Sequence, residues 1–323
     1  MKTLVIGGGI AGVLAAKQLQ ATLISNRDDF VFLPRLPELL REHPPETKLP
    51  LSECYDDVII GEPSVDLETN TVKVNKKTIK YDHLVIATGA KSNAPVPGVA
   101  TYAHNFYSYQ DVQELKKLLG DKQVIIMGGG PTGVEVAMEL ASTNEVTLLQ
   151  RADQVLKQFS SHTRSFALAK LKEAGVRVFT REECTRVTSK HVVSETHKHP
   201  YQVAIWAGGI QANTPKGLGN KPIPVDEHLN IVGYNNAWAV GDCAFSGSPL
   251  TAQAAQQEAV HAAKNVLRAK NNQPLTPFHF HSKGDFLLLD GVAVMDSRIT
   301  LKGRLPAFIR NQYYNSQIRR YRL

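Results

Sequence analysis

Two glycine-rich segments of the chain share one spacing of residues. Glycine occupies the first, third and sixth positions of each segment, as Gly7, Gly9 and Gly12 and again as Gly128, Gly130 and Gly133. Between a strand and a helix, this spacing permits a tight turn, close approach of the backbone to a pyrophosphate, and close packing of the helix on the strand. The free N–H groups and dipole at the helix start then stabilise phosphate charge. We expect two dinucleotide sites, because two copies in one context argue against a purely structural role.

The elements that must position these loops repeat as well. The predicted order of strand, helix and strand runs over 3–6, 13–20 and 21–25 in the first copy, and over 124–127, 134–141 and 145–150 in the second. Strands that alternate with helices in this way predict parallel sheets and an α/β fold class.

The residues after the second strand of each copy bear on the choice of nucleotide. A carboxylate at this point usually binds the ribose hydroxyls of the adenosine. The first copy has Ser25, Asn26 and Arg27 there, and the second has Gln150 and Arg151. Since no carboxylate would repel a 2′-phosphate, NADH and NADPH both stay open. The alternative is that these residues only end strands and leave specificity to loops.

Length and composition limit the class of protein. The 323 residues suggest about two domains of roughly 150 residues each. Hydrophobic residues make up 42 % and charged residues 21 % of the chain, which excludes a disordered, collagen-like or coiled-coil protein. The net charge of +7, from 37 basic and 30 acidic side chains, favours anionic partners such as a nucleotide or a lipid surface.

Cysteine usage and hydropathy point to a compartment. The three cysteines, Cys54, Cys184 and Cys243, are odd in number and widely spaced, which favours a reducing, cytoplasmic environment over a disulfide framework. No apolar run approaches the roughly 18 residues that a membrane span needs. The apolar start of the chain runs directly into Gly7, so we interpret it as a strand and not as an export signal.

Two further stretches carry a family resemblance. Residues 81–90 look like the strand and Ala-Thr-Gly turn that return a chain to a flavin, and residues 236–244 look like the Gly-Asp motif whose aspartate binds the ribityl and pyrophosphate region of FAD. With the two glycine loops, they resemble the two-dinucleotide-binding flavoproteins of the pyridine nucleotide–disulfide oxidoreductase superfamily. The resemblance extends to about residue 266.

This resemblance implies a glutathione-reductase-like architecture of two nested Rossmann-like domains. Residues 1–105 and 226–278 would form an FAD domain, 106–225 an NAD(P)H domain, and 279–323 a C-terminal cap or basic amphipathic tail. It implies FAD contacts from Gly7, Gly9, Ile10, Ala11, Gly12, Ser25, Asn26, Arg27, Pro34, Ala87, Thr88, Gly89, Gly241, Asp242, Ala252 and Gln253. It implies NAD(P)H contacts from Gly128, Gly130, Pro131, Thr132, Gly133, Gln150, Arg151, Ala207, Gly208 and Gly209.

Within the superfamily, residues 251–259 match the AQxAxQE signature of type II NADH:quinone oxidoreductases, and 30–34 and 130–135 are also similar. This implies electron transfer from NAD(P)H through FAD to a quinone. It also implies a quinone site at Gln253 and Gln257 and a catalytic role for Glu135. From the residues alone, the two glutamines are a polar helix face, and Glu135 is a charge favoured by the helix dipole.

Two other functions stay open. One is a flavoenzyme of the same build with another acceptor, such as oxygen, a small redox protein or a sulfur compound. The other is a redox-responsive flavin-binding protein with little turnover. The chain lacks a redox-active cysteine pair, which disfavours thiol chemistry, and Cys243 is most simply a small buried residue.

Two histidine pairs raise the question of a metal. His197 and His199 lie in a polar stretch, and His279 and His281 alternate as in a strand. No cysteine or carboxylate stands close enough in sequence to either pair to complete a tetrahedral set, so we expect no metal.

The C-terminal stretch is basic and periodically apolar. After Asp296 come Arg298, Lys302, Arg304, Arg310, Arg319, Arg320 and Arg322, and Leu305, Phe308, Ile309 and Tyr313 recur among them at helical intervals. Such a helix is typical of a surface that lies on anionic lipid, here the inner face of the cell membrane. A helix docked on its own domain and a homodimer contact are the alternatives, whereas no stacking pattern or motif supports nucleic acid.

Overall fold

The structure is a computed structural model that describes residues 1–297 and 300–323. Its α-helices are α1 (Ile10–Leu19), α2 (Val99–Tyr102), α3 (Tyr109–Lys116), α4 (Pro131–Leu140), α5 (Ser161–Glu173), α6 (Ala252–Lys270) and α7 (Arg304–Tyr321). Its 3₁₀ turns are Leu33–Leu40, Leu51–Glu53 and Gly241–Cys243.

The strands up to the middle of the chain are β1 (Thr3–Ile6), β2 (Thr22–Ser25), β3 (Asp29–Val31), β4 (Lys48–Pro50), β5 (Val58–Ile60), β6 (Ser64–Asp66), β7 (Thr71–Val74), β8 (Lys77–Lys80), β9 (His83–Ile86), β10 (Ala90–Ser92), β11 (His104–Asn105), β12 (Gln123–Met127) and β13 (Glu145–Gln150). Those that follow are β14 (Arg177–Thr180), β15 (Cys184–Val187), β16 (His191–Ser194), β17 (Lys198–Pro200), β18 (Val203–Trp206), β19 (Ile210–Ala212), β20 (Ile223–Pro224), β21 (Ala237–Ala239), β22 (Ala244–Phe245), β23 (Asp285–Leu289), β24 (Val292–Asp296) and β25 (Leu301–Gly303).

The first parallel sheet has five strands in the order β21-β9-β1-β2-β5. Strands β1 and β9 are buried along their whole length, which explains the apolar run Leu-Val-Ile that each contains. Helix α1 packs against this sheet and against α6, through side chains such as Val13, Leu14, Ala259 and Ala263.

The second parallel sheet also has five strands, in the order β11-β18-β12-β13-β14, and only its outer strand β11 differs from the first sheet in its place along the chain. In each sheet the strand before a glycine loop, β1 or β12, is central, and the next strand in the chain lies beside it. The outermost strand β11 comes just before the expected domain boundary at residue 105, yet it pairs with β18. These two sheets confirm the predicted α/β fold class.

Helices α1 and α4 begin at the glycine loops, earlier than the apolar pattern predicted, because Gly9 and Gly130 act as their N-caps. Strands β6 and β7 form a hairpin that turns at Asn70, which has a φ of +53°.

The C-terminal segment is a packed unit of three antiparallel strands, β23-β24-β25, followed by α7. Helix α7 is docked on the rest of the molecule: the ring of Tyr321 stacks on Phe30 with their centroids 4.5 Å apart, and Ile318 is also buried. Arg298, one of the basic residues predicted to follow Asp296, lies outside the described residues. Among the described helices, none is long and apolar enough to cross a membrane.

Candidate active site: the cleft between the two glycine loops

The turn at the start of each loop requires glycine. Gly7 has a φ of +116°, and a Cβ atom there would lie 2.2 Å from the carbonyl oxygen of Ala87. Gly128 has a φ of +121°, and its Cβ would lie 2.4 Å from the carbonyl oxygen of Ala207. In both copies the loop therefore presses against the end of the neighbouring strand, and a side chain would force the two apart.

The N-termini of the two helices after these loops have no side-chain cap. Neither Gly9 nor Gly130 supplies a capping side chain, and neither helix has an acidic residue in its first turn. A Cβ at either glycine would meet no atom within 4 Å, so each helix start faces open space. These features fit the diphosphate of a bound dinucleotide, whose oxygens would accept hydrogen bonds from the free N–H groups.

Both helix starts open into one cavity of about 620 Å³. The predicted site residues that line it are Gly7, Gly9, Ile10, Ala11, Ser25, Asn26, Arg27, Pro34, Ala87, Thr88, Gly89, Gly130, Pro131, Thr132, Ala207, Gly209, Gly241, Asp242 and Ala252. Those outside its lining are Gly12, Gly128, Gly133, Glu135, Gln150, Arg151, Gly208, Gln253 and Gln257.

Some residues outside the lining have a clear local role. A Cβ at Gly12 would lie 1.7 Å from the carbonyl oxygen of Gly7, and the Gly133 and Gly128 pair repeats this at 1.8 Å, so these glycines allow helix and loop to touch. Gln150 supports the second loop, because its Oε1 accepts a hydrogen bond from the Gly129 N–H at 3.3 Å.

The wall opposite the first loop is built on a buried carboxylate. Glu258, on α6, accepts hydrogen bonds from the Gly241 N–H at 2.6 Å and from the Ser246 hydroxyl at 2.5 Å. It thereby holds the turn that presents Asp242 to the cavity. Burial raises the pKa of Asp242 to about 6, and the neighbouring Glu258 charge adds to the shift.

Sequence reasoning missed three aromatic residues of the lining, Phe106, Tyr107 and Trp206. Tyr107 follows β11, and burial together with Asp242 raises the pKa of its phenol. Trp206 ends β18 and donates its indole N–H to the Asn93 carbonyl at 2.7 Å. Trp206 directly precedes the predicted residue Ala207, a signal that could have found it. No sequence signal pointed to Tyr107, because its position in the cavity depends on the pairing of β11 with the second sheet.

Glu135 lies behind the second loop, buried between α4 and β23. Its Oε1 accepts a hydrogen bond from the Leu288 N–H at 2.8 Å. Burial raises the pKa of Glu135 to about 7, although the Arg310 cation and the Leu288 amide oppose the shift. Arg310, on α7, is 1 % exposed and donates to Glu38 at 2.7 Å. The predicted catalytic carboxylate is thus embedded in a buried charge cluster that includes α7.

Gln253 and Gln257 project from one face of α6, as their spacing predicted, and both amides are bonded to backbone. Gln257 pairs with the N–H and the carbonyl of His281 at 3.0 and 2.9 Å. Gln253 accepts from the Lys283 N–H at 2.7 Å and donates to the Gly284 carbonyl at 3.2 Å. The two side chains hold an extended segment along α6, next to the cavity wall that Ala252 and Ala255 form.

A sequence profile of the family named pyridine nucleotide-disulphide oxidoreductase matches residues 1–259. The chain belongs to this family. Membership confirms the resemblance read from the motifs, and it supports FAD as cofactor and NAD(P)H as substrate, which the uncapped helix starts and glycine turns fit.

Curated relatives are similar over most of the chain. Demethylphylloquinone reductase NdbB of Synechocystis sp. is 27 % identical over 96 % of this chain and 90 % of that protein. The external alternative NAD(P)H-ubiquinone oxidoreductase B2, mitochondrial, of Arabidopsis thaliana is 27 % identical over 75 % of this chain, which spans 54 % of that longer protein.

Solved structures share the fold. The structure of NDH2 from Plasmodium falciparum in complex with NADH has a TM-score of 0.86, with 21 % identity, and the match covers 97 % of this chain and 94 % of that one. Sulfide:quinone oxidoreductase from Aquifex aeolicus has a TM-score of 0.85, with 20 % identity over 100 % of this chain and 92 % of that one.

Proposed function

We propose that this protein is an FAD-dependent NAD(P)H:quinone oxidoreductase of the type II NADH dehydrogenase kind, which pumps no protons. FAD, when bound, supplies the redox chemistry, since it takes a hydride from NAD(P)H and passes two electrons to a quinone. The chain's own residues bind and orient the two nucleotides. The observation that carries the proposal is that one cavity contacts both uncapped helix starts, at Gly9 and at Gly130. Two dinucleotides can therefore lie close enough to react.

The two structural units divide this work. We assign the sheet around β1, with β21, to FAD, and the sheet around β12 to NAD(P)H. Asp242, the Gly241 turn and Glu258 close the FAD side, where a resident cofactor needs a covered site.

The decisive experiment follows flavin absorbance during anaerobic mixing. Purified yellow protein is mixed with NADH or NADPH and then with a short-chain quinone. We expect bleaching of the flavin band with at least one nucleotide and recovery on addition of quinone. Protein that stays yellow with both nucleotides would refute the hydride step. Bleaching that recovers with oxygen or a redox protein but not with quinone would favour the flavoenzyme with another acceptor.

Thiol chemistry is the less favoured alternative on structural grounds. Of the three cysteines, all within the described residues, none lines the cavity. Cys54 is fully buried and burial raises the pKa of its thiol to about 11, while the Cys243 thiol donates to the Val240 carbonyl at 3.3 Å. A buried, protonated thiol is a poor nucleophile.

Gln253 and Gln257 are our proposed quinone-side residues. Their contacts suggest that they act by holding 281–284 beside the flavin, so that the acceptor site is shaped by this segment. Replacement Gln257→Ala removes two hydrogen bonds, and we expect unchanged bleaching by NAD(P)H but reoxidation by quinone slower by about tenfold. Gln256→Ala is a matched control, because the Gln256 amide faces Gln317 and Tyr321 of α7. Equal reoxidation rates in all three proteins would remove the assignment.

Glu135 is proposed as a positioning residue that acts through β23 and α4, since it does not line the cavity. A carboxyl whose pKa is about 7 changes its charge near neutral pH. We expect the bleaching rate of the wild-type protein to depend on pH around pH 7 and that of Glu135→Gln to lose this dependence. An unaltered pH profile in the variant would leave Glu135 a purely structural group.

A membrane surface is the proposed place of action. Leu305 is 66 % and Phe308 60 % exposed, and Ile309 and Tyr313 lie on the same outer face of α7 beside the exposed basic residues Arg304, Arg319 and Arg320. Apolar side chains flanked by cations fit an anionic lipid surface, where a quinone dissolved in lipid is within reach. The free cysteines and the pyridine nucleotide substrate favour the cytoplasmic face.

Vesicle co-sedimentation tests this surface. We expect binding to phosphatidylglycerol vesicles, weaker binding to phosphatidylcholine, and at least about tenfold weaker binding by Phe308→Asp, because a large apolar side chain is lost from the interface. Leu168→Asp, at an exposed position of α5, is the control. Absence of vesicle binding, with dimers that Phe308→Asp dissociates, would instead assign the face to a homodimer.

A further inference from the structure

Three ligand-type side chains meet outside the lining of the nucleotide cavity, beside the small sheet of β15, β16 and β17. Glu182 follows β14 and is 5 % exposed. Its Oε1 lies 3.0 Å from His197 Nδ1 and 3.0 Å from His199 Nε2. The sequence predicted no metal at these histidines, because the carboxylate that approaches them lies in a distant part of the chain. It precedes His197 by 15 residues.

The arrangement approaches the geometry of a zinc site. The three ligand atoms all lie within 4.8 Å of one another. Around a tetrahedral Zn²⁺ with bonds of about 2.0–2.1 Å, ligand atoms are about 3.3 Å apart. The two distances of 3.0 Å from Glu182 Oε1 to the histidine nitrogens are within a few tenths of an ångström of that separation.

Other residues orient the carboxylate as a ligand. Ser194 and Thr196 donate their hydroxyls to Oε1 and Oε2 of Glu182, the latter at 2.9 Å. Burial disfavours the charged form, but these bonds and those from the histidines lower the pKa of Glu182 to about 2. Polar groups that fix a ligand from behind are a regular part of metal sites.

Hydrogen bonding alone explains the cluster less well. One oxygen, Glu182 Oε1, would have to accept from the Ser194 hydroxyl and from both imidazoles. His197 Nδ1 also lies 2.8 Å from Thr196 Oγ1, so several groups compete for few acceptor directions. A cation between the three ligands would replace the two imidazole contacts with metal bonds.

We infer that Glu182, His197 and His199 form a binding site for one divalent ion of the zinc class. The His197 side chain is 57 % exposed, so the site is open on one side and leaves a fourth position to water. None of the three ligands lines the nucleotide cavity. The site is nevertheless connected to the second glycine loop. The Glu182 N–H donates to the Gln150 carbonyl at 2.9 Å, and the Gln150 side chain accepts a hydrogen bond from that loop.

The test is zinc binding by the FAD-loaded full chain. After treatment with a chelator and its removal, the protein is titrated with zinc chloride by calorimetry, and thermal unfolding is recorded with and without zinc. We expect one zinc ion per chain and a higher Tm with zinc, because an ion that binds only the folded state stabilises it. Glu182→Gln and His199→Ala should weaken binding by at least about tenfold.

Two variants keep the result interpretable. His197→Ala alters a largely exposed side chain, so the metal-free protein should unfold at the wild-type temperature but lose the zinc effect. His279→Ala removes an exposed histidine elsewhere and should bind zinc as the wild type does. No zinc binding by the wild-type chain, or binding that survives in His197→Ala and His199→Ala, would overturn the inference.

Discussion

The two halves of the molecule use the same scaffold and differ in what covers it. Each has five parallel strands with the strand before the glycine loop in the centre, a glycine turn pressed on a neighbouring strand, and a helix start without a side-chain cap. The first half is closed by the Gly241–Cys243 turn, by α6 and by buried Glu258. In the second half, Arg151 directly follows β13, and its side chain is 77 % exposed. One supersecondary unit can thus hold a resident cofactor or a passing substrate, depending on its cover.

The largest effects are expected when one glycine in each half is replaced by alanine. Because a Cβ at Gly7 would collide with Ala87, Gly7→Ala should weaken FAD binding by about ten- to hundredfold and give colourless protein. Gly128→Ala should stay yellow but bleach poorly with NAD(P)H. Flavin absorbance per chain and anaerobic bleaching measure both effects.

Gly175→Ala is the control for these two variants, since Gly175 also has positive φ but its Cβ would meet nothing within 4 Å. Loss of FAD from Gly128→Ala, or its retention by Gly7→Ala, would contradict the assignment of the two halves.

A second prediction concerns the cover of the first half. In Glu258→Gln, the side-chain amide cannot accept from both the Gly241 N–H and the Ser246 hydroxyl as the carboxylate does. Loss of a hydrogen bond to a buried charge should weaken FAD affinity by about tenfold and leave the KM for NAD(P)H unchanged. Equilibrium dialysis of flavin gives the first quantity and steady-state kinetics the second. The exposed Glu227→Gln should alter neither, and an equal change in both quantities would mean that the cover serves both halves.

A third prediction sharpens the open side of the second half. Arg151→Asp places the carboxylate that usually binds ribose hydroxyls at the end of β13. We expect kcat/KM for NADPH, relative to NADH, to fall by about fivefold, a small factor because the site is exposed. Arg177→Asp is the control, because Arg177 lies at the start of the neighbouring parallel strand β14, at the strand end opposite to Arg151. An unchanged ratio of the two nucleotides would exclude Arg151 from the substrate site.

The smallest effect concerns stability and pH. The buried Glu135 carboxyl keeps its proton up to about pH 7, whereas the unfolded one releases it near its ordinary value of 4.5. The folded state therefore binds more protons in this window, and the free energy of unfolding falls as pH rises through it. Glu135→Gln lacks this loss, so its Tm relative to wild type should rise from pH 5 to pH 8. The exposed Glu173→Gln should show no such trend, and a constant difference for Glu135→Gln would deny the raised pKa.

Local patterns predicted most of the fold, because the glycine spacing and apolar strands are short-range signals. Together with the family resemblance, they indicated the two glycine loops and 19 of the 40 residues that line the cavity. Local patterns could not predict contacts between segments that are distant in the chain. Tyr107 enters the lining because β11 joins the second sheet, and Glu182 reaches His197 and His199 through the folding of the small β15–β17 sheet.

The C-terminal helix shows the same limit from another side. The apolar spacing of Leu305, Phe308, Ile309 and Tyr313 predicted a helix, and it marked the outer face. The inner face carries Arg310, a residue type that no hydropathy pattern assigns to a core. Its burial depends on the charges of Glu38 and Glu135, which come from distant parts of the chain.

The order in which the halves become complete on the ribosome follows from their strands. The second sheet draws all its strands from residues 104–206, a continuous stretch. The first sheet is complete only after β21 has been synthesised, and its core also requires α6 and Tyr321 of α7. A nascent chain can therefore pair all strands of the second sheet before the first sheet is complete. The hydrophobic core of the second half is finished later, because it includes Leu287, Leu289 and Val294 of β23 and β24. A chain that terminates early would thus leave apolar surface exposed in both halves.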